Sequence, residues 1–171
     1  MSEHFLRGVL RAPTSQWVIL NVSTGALLAT NVVPAFDRRS RNQGLLQHTQ
    51  LKPGDAMILA PCFSVHTWFM RFPIDVLFVA RSGRVLKVRS NVAPWRIAGC
   101  LGAFAVIELS PGGGARVAVG DRLELEMVVM DQSKPARVAR ILAPNGPGSD
   151  AGQKYAVARS ANQIVLGGKF Q

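Results

Sequence analysis

Cys62 and His66 stand four residues apart, and Asp75 follows inside a run, Val65 to Val79, that is otherwise apolar enough to be core. A thiol beside an imidazole is the pairing of a nucleophile with its base, because a neighbouring imidazolium favours the thiolate, and Asp75 could orient that histidine. In an extended chain, however, four residues separate two side chains on one face by about 13 Å. Direct contact requires residues 62–64 to turn. The same residue types could also ligate a metal if Cys100 and His48 joined them in space. Zinc sites normally carry close-spaced ligand pairs, and a single loose pair is present, so neither metal nor cofactor is expected. Buried thiols and a hydrogen-bonded histidine are the simpler reading.

Asp75, Glu108 and Asp121 offer acid–base chemistry, since carboxyls in apolar surroundings have raised pKa values. Each also has an ordinary structural role open to it. Asp75 could cap the turn at Pro73, Glu108 could pair with Arg71 or Arg96, and Asp121 sits in a turn after Gly120. Trp68, Phe69, Phe72 and Trp95 could wall a pocket, with Pro94-Trp95-Arg96 setting a flat ring beside a cation, or could be core and lid. Gly112-Gly113-Gly114 lacks the Lys-Ser/Thr of a phosphate loop and reads as a flexible connection. The candidate ligand site is therefore His66, Trp68, Met70, Asp75, Trp95 and Glu108 on a concave surface.

Strands must carry these groups. Residues 17–22 and 26–29 flank Ser23-Thr24-Gly25 and predict a hairpin. Asp37 stands as an N-cap ahead of a short helix over residues 38–50, closed by Pro53-Gly54. Strands are predicted over 56–60, 65–71, 76–80, 85–89, 105–109 and 123–130, with Arg81-Ser82-Gly83-Arg84 turning one hairpin. Frequent short strands with one short helix point to a mainly β fold, a small barrel-like or strongly curved antiparallel sheet. Residues 1–15 read as a loose N-terminal arm, residues 16–130 as the β domain, and residues 131–171, rich in Pro, Gly and Ala, as a largely flexible basic extension.

The chain has 171 residues, 48% of them hydrophobic, enough for one domain with a real core. Its net charge is +10, which permits anionic partners. The excess is spread out: five cations against two carboxylates in residues 1–41, nine against six in 42–130, and six against two in 131–171. Binding to nucleic acid is open but not favoured, because it needs a basic stripe on one face. No apolar run reaches the length of a membrane span, and residues 5–10 are too short for a signal-peptide core, so a cytoplasmic protein is expected.

Several motifs resemble a known family in order and spacing. They are Gly44-Leu45-Leu46, Leu51-Lys52-Pro53-Gly54-Asp55, His66-Thr67-Trp68-Phe69-Met70-Arg71-Phe72-Pro73-Ile74-Asp75, Gly83-Arg84-Val85, Pro94-Trp95-Arg96, Val106-Ile107-Glu108-Leu109 and Val119-Gly120-Asp121. The pattern is similar to domain-of-unknown-function family 192, also called uncharacterised protein family 0127, over about Trp17 to Met130. The resemblance implies a small, mainly β domain and no established activity. A departure occurs at Ser110-Pro111-Gly112, where the family carries x-Ala-Gly.

Three functions follow as expectations. The leading one is a non-catalytic module binding a small molecule or peptide. The second is a hydrolase using Asp75 or Cys62 with His66. The third is a basic adaptor for RNA or an acidic protein.

Overall fold

The computed structural model describes residues 4–46, 48–129 and 137–139. The chain divides into two units, residues 1–141 and 142–171, and the second lies wholly outside the described residues, as does most of the extension expected to be flexible.

A central sheet buried on both faces organises the first unit. Its order is β3 (Asn31–Ala35), β4 (Asp55–Leu59), β9 (Ala105–Leu109), β6 (Ile74–Val79) and β7 (Val85–Val92). Every residue of β6 and β9 is buried, as is β4 beyond its first residue. Such strands read as unbroken apolar runs because neither face meets water.

Successive residues along them point to opposite faces. One face holds Ile58, Leu77, Val79 and Ile107 in a first core with Trp17, Ile19 and Leu123. The other holds Met57, Leu59, Val76, Phe78 and Val106 in a second core with Leu45, Val65 and Ala98. The first core is covered by a four-stranded sheet, ordered β11 (Arg137–Ala139), β10 (Leu123–Val129), β1 (Trp17–Asn21) and β2 (Ala26–Ala29). The predicted β1–β2 hairpin is its end. A two-stranded ribbon, β5 (Ser64–His66) with β8 (Ile97–Gly99), flanks the second core.

The fold is mainly β, but among the described residues no sheet closes on itself, so open sheets replace the barrel-like closure expected. The sheets are not wholly antiparallel either: β3 runs parallel to β4. Parallel neighbours need a long crossover, here residues 36–54. That crossover carries α2 (Arg38–Gln43), capped by Asp37, whose Oδ1 accepts from the Ser40 backbone N–H at 2.9 Å. The Ser40 hydroxyl, donating to Asp37 Oδ2 at 2.6 Å, and then this N–H hold the Asp37 carboxyl below its usual range. Gly44 ends the helix at φ +43°, well short of the residue 50 expected.

The remaining differences have local causes. Pro34 hid β3, yet it is tolerated because β3 is an edge strand. Residues 65–71 form a strand only to His66. The segment read as a loose arm contains α1 (Arg7–Arg11), docked by fully buried Leu6 and Val9, too short a pattern to show periodicity. No helix among the described residues is long and apolar enough to cross a membrane.

Candidate functional site

A recess of about 210 Å³ opens over the second core. The crossover forms one wall, from Arg41 through Gly44 to Leu46. The opposite wall is Cys62, Ser64, Val65 and His66 at the start of the ribbon, with Met70 beyond it. Leu59 of β4 and Glu108 of β9 form its base.

Glu108 is its chemical centre. It lies between Met57 and Val76 on the neighbouring strands, which places it on the face of the second core. The residue is 5% exposed, and its Oε2 is buried with no hydrogen-bond partner among the described residues. Desolvation raises its pKa from 4.5 to about 7, because burial penalises the charged form. Neither arginine expected to pair with it does so. Arg96 turns its guanidinium to the Trp95 carbonyl at 3.1 Å, and Arg71 is exposed.

Arg41 lines the same recess without pairing with Glu108. Its Nη1 donates to the carbonyls of Phe36 and Ala60, which fixes the guanidinium against the sheet end and leaves other N–H donors for a ligand. Cys62 is half-buried and donates its thiol to the Ser64 carbonyl at 3.1 Å. Burial, chiefly, raises the pKa of that thiol; nearby Glu108 pushes it the same way and Arg41 opposes it. Its surroundings therefore disfavour a thiolate. Cys100 is also a free, half-buried cysteine. Among the described residues no cluster of three or more His, Cys, Asp or Glu is placed to share a metal ion.

Asp75 occupies the opposite face of the same sheet, one strand away. Leu77 and Val79, its companions at two-residue spacing, belong to the first core. Asp75 is 1% exposed, and both carboxylate oxygens are engaged: Oδ1 accepts from the Asn91 N–H at 2.8 Å and Oδ2 from the Gly114 N–H at 2.9 Å. It does not cap the Pro73 turn and does not line the recess. Instead it ties down the Gly112–Gly114 segment that reads as a flexible connection. A Cβ on Gly114 would sit 3.3 Å from Asp75 Oδ2, so glycine allows the close approach.

The aromatic candidates divide. His66 lines the recess and stacks on Trp68, ring centroids 4.9 Å apart at 24°. Trp95 instead meets Phe69 edge-to-face at 4.8 Å, on the exposed side of the loops that flank the ribbon. Both Phe69 and Trp95 have left-handed backbones, at φ +65° and +64°.

Thr67, which sequence reasoning passed over, holds those loops together. Its Oγ1 donates to the Ala93 carbonyl at 2.7 Å and accepts from the Arg96 N–H at 2.9 Å, while its carbonyl accepts from the Trp95 N–H at 2.9 Å. The available signal was a small hydroxyl between two bulky rings. Arg41 was also missed, being visible only as the last residue of the short basic cluster Arg38-Arg39-Ser40-Arg41. Of the six predicted site residues, His66, Met70 and Glu108 meet in the recess, Trp68 borders it through His66, and Asp75 and Trp95 lie elsewhere.

A family model for DUF192, described as uncharacterized ACR, matches residues 19–125. The chain belongs to this family. The DUF192 match runs from within β1 to the start of β10, and so includes the whole recess. A crystal structure from Sinorhizobium meliloti 1021, described as a candidate transcription regulator, is 26% identical with a TM-score of 0.57, covering 64% of this chain and 92% of that one. A protein of unknown function from Novosphingobium aromaticivorans DSM 12444 is 23% identical with a TM-score of 0.56, covering 64% of this chain and 83% of that one, and supports the fold alone. No curated protein matches the chain.

Proposed function

We propose that this DUF192 protein is a binding module for a small molecule, held in the recess over Glu108. One observation carries the reading: Glu108, almost wholly buried, lines the recess and keeps a carboxyl oxygen without a hydrogen-bond partner among the described residues. An unsatisfied buried acceptor costs roughly 1–3 kcal/mol, and a ligand N–H or ammonium group would recover it. Arg41 supplies the opposite polarity across the recess, while Leu45, Val65 and Met70 offer apolar wall between them. The matching ligand is a small zwitterion with an apolar body, of the size and charge of an α-amino acid or the end of a peptide.

The hydrolase reading has less support. Asp75 has both oxygens engaged by backbone amides, and the Cys62 thiol bonds to Ser64 in surroundings that keep it protonated.

Calorimetry and thermal shift with apolar amino acids, their amides and their N-acetyl forms test the proposal. The free amino acid should stabilise the protein most, the amide and acetyl forms less, and Glu108→Leu should abolish the response. Failure of every compound bearing an N–H group to bind overturns it.

A further inference from the structure

We propose that the β5–β8 ribbon and the loops at its ends form a docking face for an anionic lipid bilayer. Ten large hydrophobic side chains are exposed among the described residues, and six of them, Phe63, Trp68, Phe69, Trp95, Ile97 and Leu101, belong to this ribbon and its flanks. Leu101 is 91% exposed, Phe69 68%, Ile97 65% and Trp95 56%. Clustered exposed apolar groups on a soluble-type core mark an interaction surface.

Charge on the same stretch of chain has one sign. From Ala56 to Ile107 the sequence contains six cations, Arg71, Arg81, Arg84, Lys87, Arg89 and Arg96, and a single carboxylate, Asp75. Asp75 is buried and engaged by the Asn91 and Gly114 amides, so it offers nothing to the surface. Arg71 and Arg96 are exposed close to Phe69 and Trp95, and Lys87 reaches the ribbon itself, its Nζ donating to the Gly99 carbonyl at 2.9 Å. Aromatic and aliphatic tips flanked by arginine suit the interface of an anionic membrane, where rings settle at headgroup depth and each nearby cation adds to the attraction.

The backbone supports a built surface. Aromatic residues disfavour the left-handed region, yet Phe69 and Trp95 both occupy it, and the buried Thr67 hydrogen bonds hold the loops that do so. Two other occupants fit less well. Bases of single-stranded nucleic acid would want parallel platforms, whereas the Phe69 and Trp95 rings meet at 64° and the patch continues into aliphatic Ile97 and Leu101. A second copy on a two-fold axis would bring like-charged arginines together.

The test uses the full chain and sedimentation with phosphatidylcholine vesicles, with and without about one third phosphatidylglycerol, some carrying brominated acyl chains. Binding should require the anionic lipid and weaken with salt. Brominated chains should quench tryptophan emission through Trp68 and Trp95, since Trp17 is buried. Phe69→Asn with Trp95→Asn keeps the charge and tolerates the backbone, and should weaken binding about tenfold or more with unchanged melting temperature. Should that pair fail to fold, Ile97→Asn on the outer face of the ribbon serves the same purpose. Absence of binding to anionic vesicles, or binding indifferent to these substitutions, overturns the proposal. It is equally overturned if the same rings are needed for binding single-stranded RNA or for self-association, and not for vesicles.

Discussion

Asp75 and Glu108 are buried acids on adjacent central strands, one facing each core, and their surroundings could hardly differ more. Asp75 meets two backbone amides, one from Asn91 of β7 and one from Gly114 in a loop, 16 and 39 residues away in sequence, and is fully satisfied. Glu108 meets apolar side chains and a recess, and keeps a bare oxygen. Equal burial thus produces a clamp on one face and a receptive group on the other. What separates them is the supply of N–H donors, set by which backbone segments reach that face.

The contrast breaks most readily at Asp75. Asp75→Ala leaves two amides without their charged acceptor and should cost about 3–5 kcal/mol, read from denaturant unfolding. A loss below about 1 kcal/mol would remove the clamp.

Glu108→Gln should act in the opposite direction. Because the native pKa is raised from 4.5 to about 7, the folded chain holds a proton that the unfolded chain releases between those values. Wild-type stability is therefore greatest below pH 4.5 on this account and falls as pH rises through 7. The substitution should flatten that slope and gain about 2–3 kcal/mol at alkaline pH. Unfolding series across the window measure it, and a slope shared with wild type counts against an uncompensated carboxyl.

Thr67→Val sharpens the picture of the aromatic loops. Removing the hydroxyl strands the Arg96 N–H and the Ala93 carbonyl, for a cost of about 1–2 kcal/mol. Chymotrypsin should then cut faster at Phe69 and Trp95. Gly114→Ala has the smallest expected effect, about 1 kcal/mol, from crowding Asp75 Oδ2. Its effect should vanish in the Asp75→Ala background, as a double-mutant cycle would show.

Much of the scaffold was legible in the chain. Val76-Leu77-Phe78-Val79 and Ala105 to Leu109 announced central strands by unbroken apolarity, and Ser23-Thr24-Gly25 announced the first hairpin. Asp75 stood out as a carboxylate in a run of core residues, which correctly implied that something held it. Its partners could not be read, because they are backbone amides and leave no side-chain signature. Glu108 was visible as a candidate, but whether arginine reaches it depends on loop paths; Arg96 is diverted to its own neighbour's carbonyl. β3 and α1 were hidden because an edge proline and a single docked turn disturb the patterns that betray longer elements.

The parallel pairing of β3 with β4 has a consequence for how ligand preference could change. The chain between them must span the sheet's length without being a rung of any ladder, and this span is what encloses one side of the chamber. Residues 38–50 can therefore be lengthened, shortened or exchanged to resize the chamber while the hydrogen-bond register of the strands beneath stays in phase.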